Sequence, residues 1–237
     1  MIIHGIRKLT LLDYPEHTAC TLFTGACSFR CPFCQNGGLV LHPEKEPVID
    51  QEWIFSFLRK RKTVLEGVCI SGGEPAIQKD LIPFIEEIRS IGYRIKLDTN
   101  GYHPEVLQEL LEKKLIDAAA MDIKSSPAHY ATAVGLPDTS FDFSRISESA
   151  RLFMEYGFAN PDFYYEFRTT MVKNLQTEED MISIGQWLAG SEHYYLQRYE
   201  DSENVIDRSM ESFSQQEMEK MADLIRPFIP NVMIRGS

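Results

Sequence analysis

The 237-residue sequence has no run approaching 18 consecutive apolar residues, so no membrane-spanning helix is expected, and Met1 to Thr10 lacks the apolar stretch of a secretion signal. The expectation is a soluble, cytoplasmic protein with no membrane partner. Positive charge is in deficit: 24 Lys and Arg stand against 35 Asp and Glu, a net charge of −11. That balance repels a phosphate backbone and argues against nucleic acid as the main partner. Gly and Pro, at 14 and 12, are too few for a collagen-like or low-complexity chain. Cysteine is sparse as well. Cys20, Cys27, Cys31, Cys34 and Cys69 are odd in number, and three of them fall within eight positions. A disulfide scaffold is excluded on that arithmetic, and metal or redox chemistry is favoured.

What is present is a globular composition, 43% hydrophobic and 25% charged, in a chain long enough for a large core. Short apolar, β-branched runs alternate with longer segments of helical period, separated by Gly, Pro, Asn or Asp. Strands are expected at Ala19 to Thr24, Gly67 to Ile70, Tyr93 to Leu97, Ala118 to Ile123, Tyr165 to Val172 and His193 to Tyr199, with a further one at Asn231 to Ile234. Helices are expected at Asp50 to Lys62, Lys79 to Ile91, Pro104 to Lys114, Ser144 to Tyr156, Glu178 to Leu188 and Gln215 to Phe228. Asp50 and Thr177 read as N-caps, and Gly92 and Gly157 as residues just past helix ends. No repeat, linker or charge block marks a boundary, so residues 1–237 read as one domain, with Ser125 to Asp142 its least regular stretch. The fold class is α/β with parallel strands and outer helices, a barrel or part of one, whose chemistry belongs on the loops at the C-terminal strand ends.

On the loop after the first strand stands Cys27-Ser28-Phe29-Arg30-Cys31-Pro32-Phe33-Cys34-Gln35-Asn36, a C-x3-C-x2-C array. A closed zinc site or a four-thiolate cluster needs a fourth ligand. No downstream Cys pair supplies one, and His17 and His42 are poorly placed. Three thiolates leave one metal position open for a substrate or cofactor; a three-Cys, one-His zinc knot or three buried thiols is the plainer alternative. Cys20 and Cys69, each inside an apolar strand, read as core.

This spacing, with aromatic Phe33 before the third Cys, is similar to that of the radical SAM superfamily. The resemblance implies a partial (β/α)6 TIM-like barrel. It also implies one [4Fe-4S] cluster on Cys27, Cys31 and Cys34, whose remaining iron is chelated by S-adenosylmethionine. Ser71-Gly72-Gly73-Glu74-Pro75 follows the second strand. Taken alone it is an ordinary strand-to-helix turn in which the glycines let backbone approach a ligand and Glu74 offers an acceptor to an ammonium group. The resemblance makes Gly72, Gly73 and Glu74 the holders of the methionine amino group. Asp98-Thr99-Asn100-Gly101 and Asp122-Ile123-Lys124 end the next two strands. Each could be turn chemistry, yet together they are similar to the activating enzymes of glycyl radical enzymes. There the resemblance implies that Asp98, Asp122 and Lys124 contact S-adenosylmethionine and, in some members, a monovalent cation beside its carboxylate. Arg168 is a further candidate contact, although an Arg at a strand end also pairs readily with carboxylates, and the same alternative applies more strongly to Gln197 and Arg198. The six histidines show no ligand spacing.

Leu11-Leu12-Asp13-Tyr14-Pro15, Phe23-Thr24-Gly25 and Cys-Pro-Phe-Cys-Gln-Asn resemble the single-domain anaerobic ribonucleoside-triphosphate reductase activating proteins over nearly the full length. Glu16, Ala26, Ser28 and Gln35 depart from that pattern. The resemblance implies an oxidoreductase that cleaves S-adenosylmethionine to a 5′-deoxyadenosyl radical, takes electrons from a donor such as flavodoxin or ferredoxin, and places a glycyl radical on a partner enzyme. No catalytic side chain beyond the cluster ligands is expected. A radical SAM enzyme acting on a small molecule or peptide, related to the deazapurine-forming synthases, is the alternative. A zinc-binding or electron-transfer module is the third, and would leave the strand-end motifs without a task. Ser125 to Asp142 is read as a lid or docking loop, or a plain surface loop.

Overall fold

The computed structural model describes residues 1–236. Eight strands form one sheet in sequence order: β1 (Ile3–Thr10), β2 (Ala19–Thr24), β3 (Gly67–Gly72), β4 (Arg94–Thr99), β5 (Ala118–Asp122), β6 (Tyr164–Met171), β7 (His193–Arg198) and β8 (Asn231–Arg235). All neighbours from β2 to β8 pair in parallel, β1 pairs antiparallel to β2, and the order leaves β1 and β8 at opposite edges. This is the expected α/β architecture of a partial barrel. Each parallel step is bridged by helix: α1 (Gly37–Leu41) and α2 (Gln51–Arg61) after β2, α3 (Leu81–Ser90), α4 (Pro104–Glu112), α5 (Tyr130–Ala133) with α6 (Phe143–Ala159), α7 (Glu178–Trp187), and α8 (Gln215–Ile225). Apolar faces such as Leu81, Phe84, Ile85 and Ile88 of α3 are buried, as their helical spacing requires. None of the helices among the described residues is long and apolar enough to cross a membrane.

The caps follow from the local chemistry. Asp50 accepts the Trp53 N–H at 2.8 Å, and Thr177 and Asp180 satisfy each other's backbone in a capping box. Two points need correction. β1 was not anticipated, because its half-exposed residues show no alternation. Gly157 lies inside α6 rather than beyond it, since a Cβ there would sit 2.4 Å from the Tyr165 ring. Ser125 to Asp142, read as a lid or docking loop or a plain surface loop, is packed over its first half and largely exposed from Gly135 onward. Its Tyr130 and Val134 are fully buried, Ser126 and His129 bond to Asp180, and Val134 O accepts from Arg30 N at 2.8 Å. That first half packs as a wall behind the cysteine loop.

Candidate functional site

The cysteine array crosses the C-terminal mouth of the sheet, held from both sides. Asp207 N donates to Pro32 O at 2.8 Å and Gly37 N to Asn204 O at 3.0 Å, so the β7–α8 connection clasps one flank while the Val134 segment holds the other. Ala26 turns the chain into the loop with φ of 61°, and Arg30 Nη1 ties Cys27 O and Phe29 O, both at 2.7 Å. All five cysteines are free thiols. Cys20 and Cys69 are wholly buried in β2 and β3, as expected, whereas Cys27, Cys31 and Cys34 line one cavity of about 370 Å³. Cys27 Sγ accepts from Phe29 N at 3.4 Å and from Asn100 Nδ2 at 3.5 Å. Burial pushes the thiol of Cys27 up to about 11 and that of Cys31 to about 12, so the thiolates form only with a compensating positive charge. His17 meets the Tyr14 ring edge-on and His42 faces Glu44, so neither completes a fourth ligand position. Among the described residues no three His, Cys, Asp or Glu side chains converge on a single-ion site.

The Gly-Gly-Glu turn is shaped by its neighbour strand. Gly73 N donates to Thr24 O at 2.9 Å and Glu74 N to Ala26 O at 2.8 Å, and a Cβ on Gly73 would stand 1.9 Å from Ala26 O. The glycines thus bring β3 against the base of the cysteine loop while their backbone also lines the cavity. Glu74 is fully buried. Its Oε1 accepts from Ala76 N at 3.0 Å and Thr99 Oγ1 at 2.7 Å, and its Oε2 from Asn100 N at 2.6 Å. Burial raises its carboxyl to about 7 against those hydrogen bonds.

A period of two puts Lys96 and Asp98, Ala118, Ala120 and Asp122, and Tyr164, Glu166 and Arg168 on one face of β4, β5 and β6. Asp122 is the register partner of Arg168, whose Nε and Nη2 each lie 2.9 Å from Asp122 Oδ1, and Nη1 reaches Asp98 Oδ2 at 3.3 Å. Lys96 Nζ takes Asp98 Oδ1, and Lys124 Nζ takes Asp122 Oδ2 at 3.0 Å while standing 5.6 Å from the Phe33 ring centroid. Burial pushes the Asp122 carboxyl up, but Arg168 and then Lys124 outweigh it and hold it at about 2. Asp98 is lowered by the same balance, with Arg168 and Lys96 opposing burial. Burial also lowers Lys124, yet Asp122 more than reverses this. Beneath lies Glu166, 1% exposed, with Arg235 at 2.9 and 2.8 Å on its two oxygens.

Every residue singled out from the sequence therefore faces one cavity: Cys27, Cys31, Cys34, Phe33, Gly72, Gly73, Glu74, Asp98, Asp122, Lys124 and Arg168. Gln197 joins them, whereas Arg198 is exposed. Sequence reasoning missed Lys96, Glu166, Asn100 and Arg235. For Lys96 and Glu166 a signal existed, charge at every second position of an apolar strand; the terminal strand gave none for Arg235.

Comparison with known proteins shows the family and the fold. Residues 21–188 match the family model described as the Radical SAM superfamily. A protein of Methanocaldococcus jannaschii named "Putative glycyl-radical enzyme activating enzyme" is 28% identical, over 99% of this chain and 95% of its own. The PqqA peptide cyclase of Rhizobium meliloti is 31% identical over 44% of this chain and 26% of its own length. Among solved structures, Streptococcus suis SuiB bound to the precursor peptide SuiA superimposes with a TM-score of 0.68 at 15% identity, over 91% of this chain and 48% of that one. The chain thus spans about half the length of SuiB.

Proposed function

Because this chain belongs to the radical SAM superfamily, whose cofactors are a [4Fe-4S] cluster and S-adenosylmethionine, we propose that it is an activating enzyme that installs a glycyl radical on a partner protein. The observation that carries this reading is the end-to-end correspondence with the Methanocaldococcus jannaschii relative, 99% of this chain and 95% of that one, where the peptide cyclase matches less than half of this chain. The residues present fit the cofactors. Three free thiols share one braced loop and one cavity, with N–H donors already aimed at Cys27 Sγ. Cys27, Cys31 and Cys34 would hold three irons, leaving the fourth for the amino and carboxylate groups of S-adenosylmethionine. When bound, the pair supplies one electron to the sulfonium, cleaving it to methionine and a 5′-deoxyadenosyl radical.

The chain's own work is positioning. Glu74 braces the Thr99–Asn100 turn and keeps acceptor capacity on Oε2 for an ammonium group. Asp98, Asp122, Lys124 and Arg168 would form a charged floor for the methionine end, and buried Phe29 and Phe33 give the thiols apolar neighbours. No acid or base is required, since the target is a Cα–H of the partner's glycine and the electron comes from a donor such as flavodoxin or ferredoxin.

A second reading, a radical SAM enzyme for a peptide or small molecule such as a deazapurine precursor, draws support from the polar wall that Arg7, Asp13, Thr21, Thr170 and Gln197 add to the same cavity. The test is anaerobic reconstitution followed by reduction with S-adenosylmethionine, with and without an anaerobic ribonucleotide reductase. About four irons per chain, 5′-deoxyadenosine lost in Cys31→Ala, and a glycyl radical doublet on the reductase by electron paramagnetic resonance are expected. Cleavage without any partner radical moves the assignment to the second reading. Bound zinc with no cleavage overturns both.

A further inference from the structure

The resemblance to glycyl radical activases implies that Asp98 and Asp122 in some members contact a monovalent cation beside the carboxylate of S-adenosylmethionine, and the side chains here do not fit one. All four oxygens are engaged by charged donors: Asp98 Oδ1 by Lys96, Asp98 Oδ2 by Arg168, Asp122 Oδ1 by Arg168 and Asp122 Oδ2 by Lys124. Glu166 is likewise paired, with Arg235 on both oxygens and the Tyr164 hydroxyl on Oε2. The network already sets four cations, Lys96, Lys124, Arg168 and Arg235, against three carboxylates. The carboxylate of S-adenosylmethionine would balance that one surplus positive charge, so a further positive ion would enter a largely buried site with no anion left to neutralise it, at a desolvation cost.

The strand geometry explains why an arginine can fill the gap. Arg168 stands in register beside Asp122, and Asp98 is the register partner of Ala120. The small Ala120, fully buried between the Asp98 and Glu166 rows, leaves room for the guanidinium to span from β6 across β5 to β4. Its planar fork then meets both carboxylates at once, as a compact ion between them would.

We propose that Arg168 takes the place of the monovalent cation, so that this protein binds S-adenosylmethionine without K⁺ or Na⁺. The proposal rests on the reading of this cavity as the S-adenosylmethionine site.

The test measures S-adenosylmethionine affinity of the reconstituted protein in KCl and in tetramethylammonium chloride at equal ionic strength, together with melting of the cluster-free protein in both salts. Wild type is expected to differ by less than about twofold in affinity, with equal melting temperatures, whereas Arg168→Gln loses affinity in tetramethylammonium and regains on the order of tenfold in K⁺. A wild-type protein that needs K⁺ overturns this proposal and leaves the functional reading standing. Binding by Arg168→Gln that is equally weak in both salts also overturns it. Wild type that binds no S-adenosylmethionine in either salt overturns both. Should Arg168→Gln fail to fold, the wild-type comparison decides alone.

Discussion

Replacing Gly73 with alanine tests whether the β2–β3 contact supports the cysteine loop. The added Cβ would lie 1.9 Å from Ala26 O and 2.7 Å from Ala26 C, both backbone atoms with no rotamer to yield. The strands must part, which costs about 1–3 kcal/mol as overpacking. Parting also weakens Gly73 N→Thr24 O and Glu74 N→Ala26 O, now 2.9 and 2.8 Å, at about 1 kcal/mol each. The expected loss is about 3–5 kcal/mol, a urea midpoint lower by roughly 1–1.7 M for a slope near 3 kcal/mol/M. Because Ala26 leads directly into Cys27, iron retained after reconstitution should fall as well. Gly190→Ala is the control: its φ of +90° makes alanine unfavourable, yet no atom lies within 4 Å of the new Cβ. It should cost about 1 kcal/mol and leave iron content untouched. The reasoning fails if Gly73→Ala is as stable as Gly190→Ala and loads iron fully.

Two further outcomes follow from the same coordinates. Asp122, held at about 2 against an ordinary 3.8, contributes stability above about pH 4 that is lost as pH falls through its folded value, roughly 2 kcal/mol by linkage. Glu74 has the opposite sign: raised from 4.5 to about 7, it contributes fully below pH 4.5 and its share declines as pH rises to 7, by about 3 kcal/mol. Urea unfolding of the cluster-free protein should therefore peak near pH 4–5, and stability that climbs steadily from pH 5 to 8 would contradict the Glu74 environment. Lys114, exposed just after α4 with φ of 52°, pays for a left-handed conformation that glycine adopts freely; Lys114→Gly should raise stability by about 1 kcal/mol in thermal melts.

Seven of the eight strands, β2 to β8, were legible to within about two residues, those in the sheet interior because a strand buried on both faces announces itself as a continuous apolar run. β1 was not, and the reason is physical. Ile-His-Gly-Ile-Arg-Lys-Leu-Thr is an edge strand whose middle residues are partly solvated, so neither alternation nor a continuous run survives in it. Gly157 misled for a different reason. Its glycine answers to the Tyr165 ring pressed against α6, a tertiary contact that imitates a helix stop in the sequence. Ser125 to Asp142 looked irregular because Pro127, Gly135 and Pro137 interrupt any period. What the letters could not convey is that Gly135, at φ of 69°, lets the segment close on Arg30, where a Cβ would stand 2.3 Å from the carbonyl.

The site shows where identity and pairing part company. Chemistry that resides in single residues or short spacings was readable: three thiols in eight positions, Asp-x-Lys, Gly-Gly-Glu. Charge balance was not, because it is summed over strands far apart in the chain. Asp98 read as turn chemistry or as a contact to S-adenosylmethionine, with no partner in the chain named for it; its partners are Lys96 two residues earlier and Arg168 seventy residues later. Lys96 lay on the page as half of a Lys-x-Asp alternation, but only the parallel register of β4, β5 and β6 turns that alternation and Glu166-x-Arg168 into one layered network. The same register sets the small Ala118 and Ala120 between the charged rows, so the long side chains can cross the sheet interior and meet. A motif can name the residues that face a ligand; which of their lone pairs remain free for it is decided by neighbours two strands away.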